Sequence, residues 1–307
     1  MGLISLIAAL LLEQWRPLAN HRYLYSQVAQ YANFLERQFN AGEVQQGVVA
    51  WLVAVLLPVI IVGLVHAQLF SWSPLVALAF NVAALYCTMG FRQFSHYFTD
   101  IHLALKRDDL TGARELLAVW RGHDCSGLSR EEVSRLTIEE ALTASHRHVF
   151  AVAFWFVLLP GPSGAILYRL AYFLYRRWGE SDTPDLVQFG RFAKQAFRAL
   201  DWLPMRFTAA AFAVVGDFED AIYCWRTQAA KWPDPLLGIL LAAGAGAIGV
   251  RLGDPYVIHG TAVERPQLGT GDEADAGFLD STIGLVWRAL VLWLIMLMLL
   301  GIARALS

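Results

Sequence analysis

The sequence predicts an all-α fold: a polytopic integral membrane protein with short inserted or re-entrant helices and a cytoplasmic helical loop. Three observations lead to this. Nineteen consecutive residues, Gly47 to Val65, carry no charge, and at about 1.5 Å rise per residue such a helix covers the roughly 30 Å hydrocarbon core of a bilayer. The chain of 307 residues is 57% hydrophobic and 16% charged, with a mean hydropathy of +0.45, beyond the balance of soluble domains. Between Arg92 and Arg147 the chain turns polar, and its apolar residues fall at helical spacing. The expected organisation is one membrane domain over 1–307, with the helical loop at 92–147 and a Gly-, Pro- and acid-rich connector at 253–280.

In chain order, Met1 to Leu12 is apolar but too short to cross a bilayer. With no basic residues ahead of it and no small-x-small cleavage site behind it, it reads as an interfacial helix and not a signal peptide. Gly47 to Val65 spans. Pro74 to Phe91 follows after a tight link, so the two form a transmembrane hairpin, with Phe70 and Trp72 suited to an interface. Asp109 to Trp120 places Leu110, Ala113, Leu116, Leu117 and Trp120 on one helical face. Ser129 opens another helix, with Glu132 placed to close a capping box. The adjacent Glu139 and Glu140 point about 100° apart and read as a solvated face. Val149 to Tyr168 is long enough to span, yet Pro160, Gly161, Pro162 and Gly164 break it. Basic residues on both flanks favour a re-entrant pair of half-helices over a kinked crossing. Pro235 to Val250 is rich in small residues that permit close helix contact. Ser281 to Ala303 spans, with fifteen uncharged residues after Arg288. The four stronger membrane segments are thus Gly47–Val65, Pro74–Phe91, Val149–Tyr168 and Ser281–Ala303.

A net charge of −2 with interleaved signs excludes an electrostatic footprint for nucleic acid. Cys87, Cys125 and Cys224 show no metal spacing and no disulfide framework. His146 and His148 stand two apart on a helix, which separates their rings. No GxxxxGK[ST], GxGxxG, GxSxG or HExxH pattern is present, so nucleotide cradling, a nucleophile elbow and zincin chemistry have no support.

Three blocks stand out instead at membrane edges: Gly164 to Arg169, Asp201 to Phe207, and Ala245 to Pro255. With the segment Asp109, Leu110 and Arg114, and the acid helix around Glu139, their order and spacing resemble the CobD/CbiB superfamily from about Arg107 to Trp287. That superfamily comprises adenosylcobinamide-phosphate synthases and the smaller AmpE proteins. The resemblance implies that a synthase joins an amine to a corrinoid carboxylate with ATP and Mg²⁺. Where the synthase pattern reads E-T-x-A-E-N-x-x-D-G, this chain keeps Glu139 but has Thr143, Ala144 and Arg147 at the second acid, the amide and the Asp. Three further polar clusters also differ. The closer resemblance is to the AmpE branch, through Phe150 to Phe156, Asp201 to Arg206 and Ala213 to Phe218.

The expectation that follows is a multi-pass protein of the bacterial inner membrane. Its role would be non-catalytic, an AmpE-like regulation or ligand sensing linked to cell-wall recycling and β-lactamase induction. No cofactor, no metal and no catalytic residue is expected. The alternative is the adenosylcobinamide-phosphate synthase, an amide-forming ligase of cobalamin biosynthesis using ATP and Mg²⁺. Partners would be the lipid bilayer and an anionic small molecule, held by Glu139, Arg169, Asp201 and Arg206.

Overall fold

The computed structural model describes residues 2–15, 21–181, 183–258 and 261–306. Met1, the first residue of the apolar N-terminal segment, and His259 and Gly260 of the connector lie outside the described residues. The helices in chain order are α1 (Gly2–Trp15), α2 (His21–Phe39), α3 (Val44–Trp72), α4 (Pro74–Thr88), α5 (Phe91–Lys106), α6 (Leu110–Arg121) and α7 (Arg130–Ser145). They continue with α8 (Ala151–Leu158), α9 (Ser163–Leu174), α10 (Pro184–Val187), α11 (Arg191–Val215), α12 (Phe218–Gln228), α13 (Pro235–Ile248) and α14 (Ala276–Leu306). A small antiparallel ribbon, β1 (Tyr256–Ile258) and β2 (Thr261–Val263), pairs Tyr256 with Val263. The fold class is all-α, as the hydropathy and periodicity require.

Three described helical stretches are long and apolar enough to cross a membrane: Val44–Trp72, Arg130–Leu158 and Ala276–Ala303. On α3, Leu57, Ile60, Ile61 and Leu64 are exposed, and α14 exposes Val291, Ile295, Met296 and Leu299. Apolar surface bared along a helix of this length suits a lipid environment and is unfavourable in water. Arg130–Leu158 is different, because two thirds of its apolar window is buried inside the protein. The expected set of four segments is corrected in two places. Helix α4 has 15 residues, which at about 1.5 Å each falls short of a bilayer core. The Val149 segment breaks after Leu158, but its first half is the continuation of α7 through a π-helical turn, His146–Phe150.

The chain divides into two compact units, residues 1–90 with 151–203, and residues 91–150 with 204–307. In the first, α3 packs on α2, α4 and α9, α1 packs on α4, and α8 on α9. The break between α8 and α9 puts Gly164 where a Cβ would lie 1.8 Å from the carbonyl oxygen of Trp155, so only glycine lets the half-helices meet this closely. In the second unit α7 is the hub, touching α5, α6, α13 and α14, while α12 lies along α13. Ser129 starts α7 with the predicted capping box: its amide donates to Glu132 Oε2 at 2.7 Å and its hydroxyl accepts from the Glu132 amide at 3.2 Å. Asp109 caps α6 by accepting from the Gly112 amide at 2.9 Å.

Candidate functional site

The most developed polar constellation among the described residues lies in the second unit, on α7 and the loop after α13. Glu139 is 6% exposed, so the solvated face expected for it is corrected: the helix turns this carboxylate inward. Its oxygens accept from both Arg265 terminal nitrogens, at 2.6 and 3.3 Å, and from the Gly253 amide at 2.9 Å. Burying a carboxylate costs several kcal/mol unless it is paired and hydrogen-bonded, and both conditions are met here. Arg265 in turn donates to the carbonyls of Gly253 and Asp254, at 3.1 and 3.4 Å. Its guanidinium lies 4.5 Å from the Tyr256 ring centre and 5.2 Å from that of Trp232, a cation between two π faces.

The loop that makes this arrangement is ordered by its own backbone. Leu252 and Leu268 exchange two hydrogen bonds of 2.8 Å, the Arg251 amide donates to Asp272 O at 2.7 Å, and Gln228 accepts from the Gly269 amide at 2.6 Å. Gly253 and Asp254 both adopt left-handed φ, 81° and 62°, which aims their carbonyls at Arg265. Two further cations close in: Arg135 on α7 reaches Asp254 Oδ2 at 3.5 Å, and Arg121 donates to the Tyr256 hydroxyl at 3.4 Å.

The other expected site residues fall elsewhere. In the first unit the Tyr168 hydroxyl donates to Asp201 Oδ1 at 2.9 Å, both side chains being buried. Arg169 donates to the Tyr25 hydroxyl at 2.9 Å and lines an apolar cavity of about 190 Å³ with Tyr25, Cys87, Thr88, Ile166 and Phe173. Arg206 lies on the part of α11 that belongs to the second unit. His146 is fully buried, with Nδ1 2.9 Å from the Thr208 hydroxyl. The sequence marks Arg135 and Arg121 only among the basic residues flanking the Val149 segment and does not mark Arg265 or Trp232, whereas Arg251, Leu252, Gly253 and Asp254 fall within the block Ala245 to Pro255. No local pattern marks Arg265, which is 126 residues from Glu139.

A family model described as CobD/Cbib protein matches residues 6–286. The chain belongs to the CobD/CbiB family. Among curated relatives, the cobalamin biosynthesis protein CobD of Stutzerimonas stutzeri is 34% identical over 299 residues, 96% of each chain. The protein of the same name from Chromobacterium violaceum is 38% identical over 220 residues, 72% of this chain and 70% of its own. That from Mycobacterium tuberculosis is 31% identical over 237 residues, 74% of each. No solved structure matches. These relatives overturn the expected non-catalytic, AmpE-like role and support the alternative. The substitutions at Thr143, Ala144 and Arg147 are local departures, whereas the likeness to CobD runs nearly from end to end, so the missing synthase clusters do not set the branch of this CobD/CbiB chain.

Proposed function

We propose that this CobD/CbiB protein acts in cobalamin biosynthesis as a membrane-embedded ligase that joins the amine of an aminopropanol to a carboxylate of a corrinoid ring. The observation that carries the reading is the 34% identity to a CobD protein over 96% of both chains. In chemical terms a C–N bond forms and a carboxyl C–O bond breaks. A nucleoside triphosphate co-substrate takes the departing oxygen as phosphate, and the amine nitrogen gives up a proton. The buried cations of the second unit suit anionic reactants: Arg265 is fixed by Glu139 and by two aromatic faces, and Arg135 stands beside it at Asp254. Glu139 is the positioning residue in this reading, holding Arg265 in one orientation.

Mg²⁺ is bound through one or two carboxylates together with phosphate oxygens. Both oxygens of Glu139 already accept from nitrogen donors, and the Asp254 carboxylate sits against Arg135. Among the described residues no group of three or more His, Cys, Asp and Glu side chains gathers. The Glu139 and Asp254 carboxylates, each already engaged, do not fit a metal, and no step is assigned to one. Arg169, Asp201 and Arg206 are proposed as ligand contacts of lesser weight, with Arg169 facing the cavity of the first unit.

The test is direct. The purified chain in detergent, given cobyrate, aminopropanol phosphate and ATP, is expected to yield the amide detected by mass spectrometry, and Glu139→Gln should lower the rate without abolishing folding. Absence of product from a folded chain, together with failure to restore cobalamin synthesis in a deletion strain, would overturn the reading.

A further inference from the structure

We infer that Arg135 and Arg265, which meet at Asp254, form with Arg251 of the same loop an oxyanion site that takes a phosphate or carboxylate group. The inference rests on the cobalamin-biosynthesis reading for the source of that anion, but not for the site itself. The decisive feature is a set of donors with nothing to donate to. The Nε of Arg135, of Arg265 and of Arg251 is each buried without a hydrogen-bond partner. The side chains of Arg135 and Arg265 are only 10% and 9% exposed, so water does not substitute freely. An unsatisfied buried donor is costly, more so on a charged group, and native interiors rarely tolerate several together.

Arg135 and Arg265 share one corner of the second unit. Arg135 and Arg265 both reach Asp254, through its carboxylate at 3.5 Å and its carbonyl at 3.4 Å. Arg251 lies three residues before it on the loop whose backbone is pinned to Leu268 and Asp272. Charge points the same way. Arg135 pairs with Asp254 and Arg265 with Glu139, and Arg121 adds a further guanidinium at the Tyr256 hydroxyl. Glu139 is committed to Arg265 and Gly253, and Asp254 meets Arg135 through a terminal nitrogen, which leaves the Arg135 Nε without an acceptor. A tetrahedral or planar oxyanion has the several acceptor positions that this fork of donors lacks, and guanidinium is the side chain best matched to it. Shared chemistry makes a substrate phosphate, a substrate carboxylate and a lipid phosphate equivalent at this level, and the measurement separates them.

The experiment uses the full chain in a neutral detergent, with inorganic phosphate and acetate titrated by calorimetry and by thermal unfolding. Phosphate should bind and raise the unfolding temperature. Arg135→Gln should weaken its affinity by about tenfold, the weight of one charge-assisted contact, while Arg288→Gln on α14 leaves it unchanged. Arg251→Gln is the second variant should Arg135→Gln fail to fold, and the same loss is expected. If anionic lipid copurifies with the wild-type chain and is lost from Arg135→Gln, the site stands and its source is a headgroup. Equal phosphate affinity in wild type, Arg135→Gln and Arg251→Gln, or no binding of either anion by lipid-free protein, would overturn it. Anion binding without amide product would sink the ligase reading alone; product with no anion binding would sink this inference alone.

Discussion

Glu139 and Arg265 are each nine-tenths buried, so each needs the other. Arg265→Met strands a carboxylate and is expected to destabilise the protein by about 3–5 kcal/mol, whereas Glu139→Leu with Arg265→Met should recover most of that, because removing both charges avoids the desolvation cost. Thermal unfolding of the two variants in detergent decides the matter; equal losses would show that the pair is not coupled. His102 gives a second prediction. Burial pushes its imidazole below the ordinary value, outweighing the Asp280 carboxylate that pulls it up. The unfolded chain therefore takes up a proton at a higher pH than the folded one. Stability is fully present above about pH 6.5, the unfolded value, and is lost as the pH falls through the folded value. Unfolding temperatures measured between pH 8 and pH 5, flattened in His102→Gln, would bear this out; an unchanged slope in the variant would refute it.

Helix α13 shows why small residues are placed as they are. A Cβ at Gly246 would lie 2.5 Å from the carbonyl oxygen of Asp220, in the backbone of α12, whereas one at Gly244 would meet the Leu142 side-chain tip at 2.7 Å. Backbone cannot yield and a leucine methyl can. Gly246→Ala should therefore cost about 1–3 kcal/mol through overpacking, and Gly244→Ala distinctly less. Reversal of that order in unfolding measurements would show that α12 and α13 have slack. Much of this scale could be read from the chain. The cap at Ser129, the amphipathic stripe of α6 and the break at Pro160 to Pro162 are local chemistry, and local chemistry is legible. The inward turn of Glu139 was not, because its partner comes from a polar loop with no periodicity of its own. Nor was the fusion of α7 with α8, since hydropathy alone changes at Val149 while the helix does not stop there.

At the scale of the whole molecule, the membrane class rests on surfaces that water would not tolerate. Ile60, near the middle of α3, is 56% exposed. Ile60→Arg should weaken insertion by about 2.5–3.5 kcal/mol, the penalty for arginine at a helix centre, read as a smaller fraction of protein retained in membranes after an alkaline wash. Full retention would mean that this face is turned from the lipid. The composition made this class legible, and the family resemblance was legible too. The branch was not: the substitutions at Thr143, Ala144 and Arg147 are visible in the chain itself, whereas the 34% identity to a CobD protein over 96% of both chains emerges only from comparison.

The three cysteines are unpaired, Cys125 and Cys224 being buried and Cys87 exposed. Cys87 also borders the cavity beside Arg169. The protein thus carries its own single attachment point for a membrane-permeant fluorophore or spin probe. Without any engineering, the signal from that probe would report when a molecule enters the first unit.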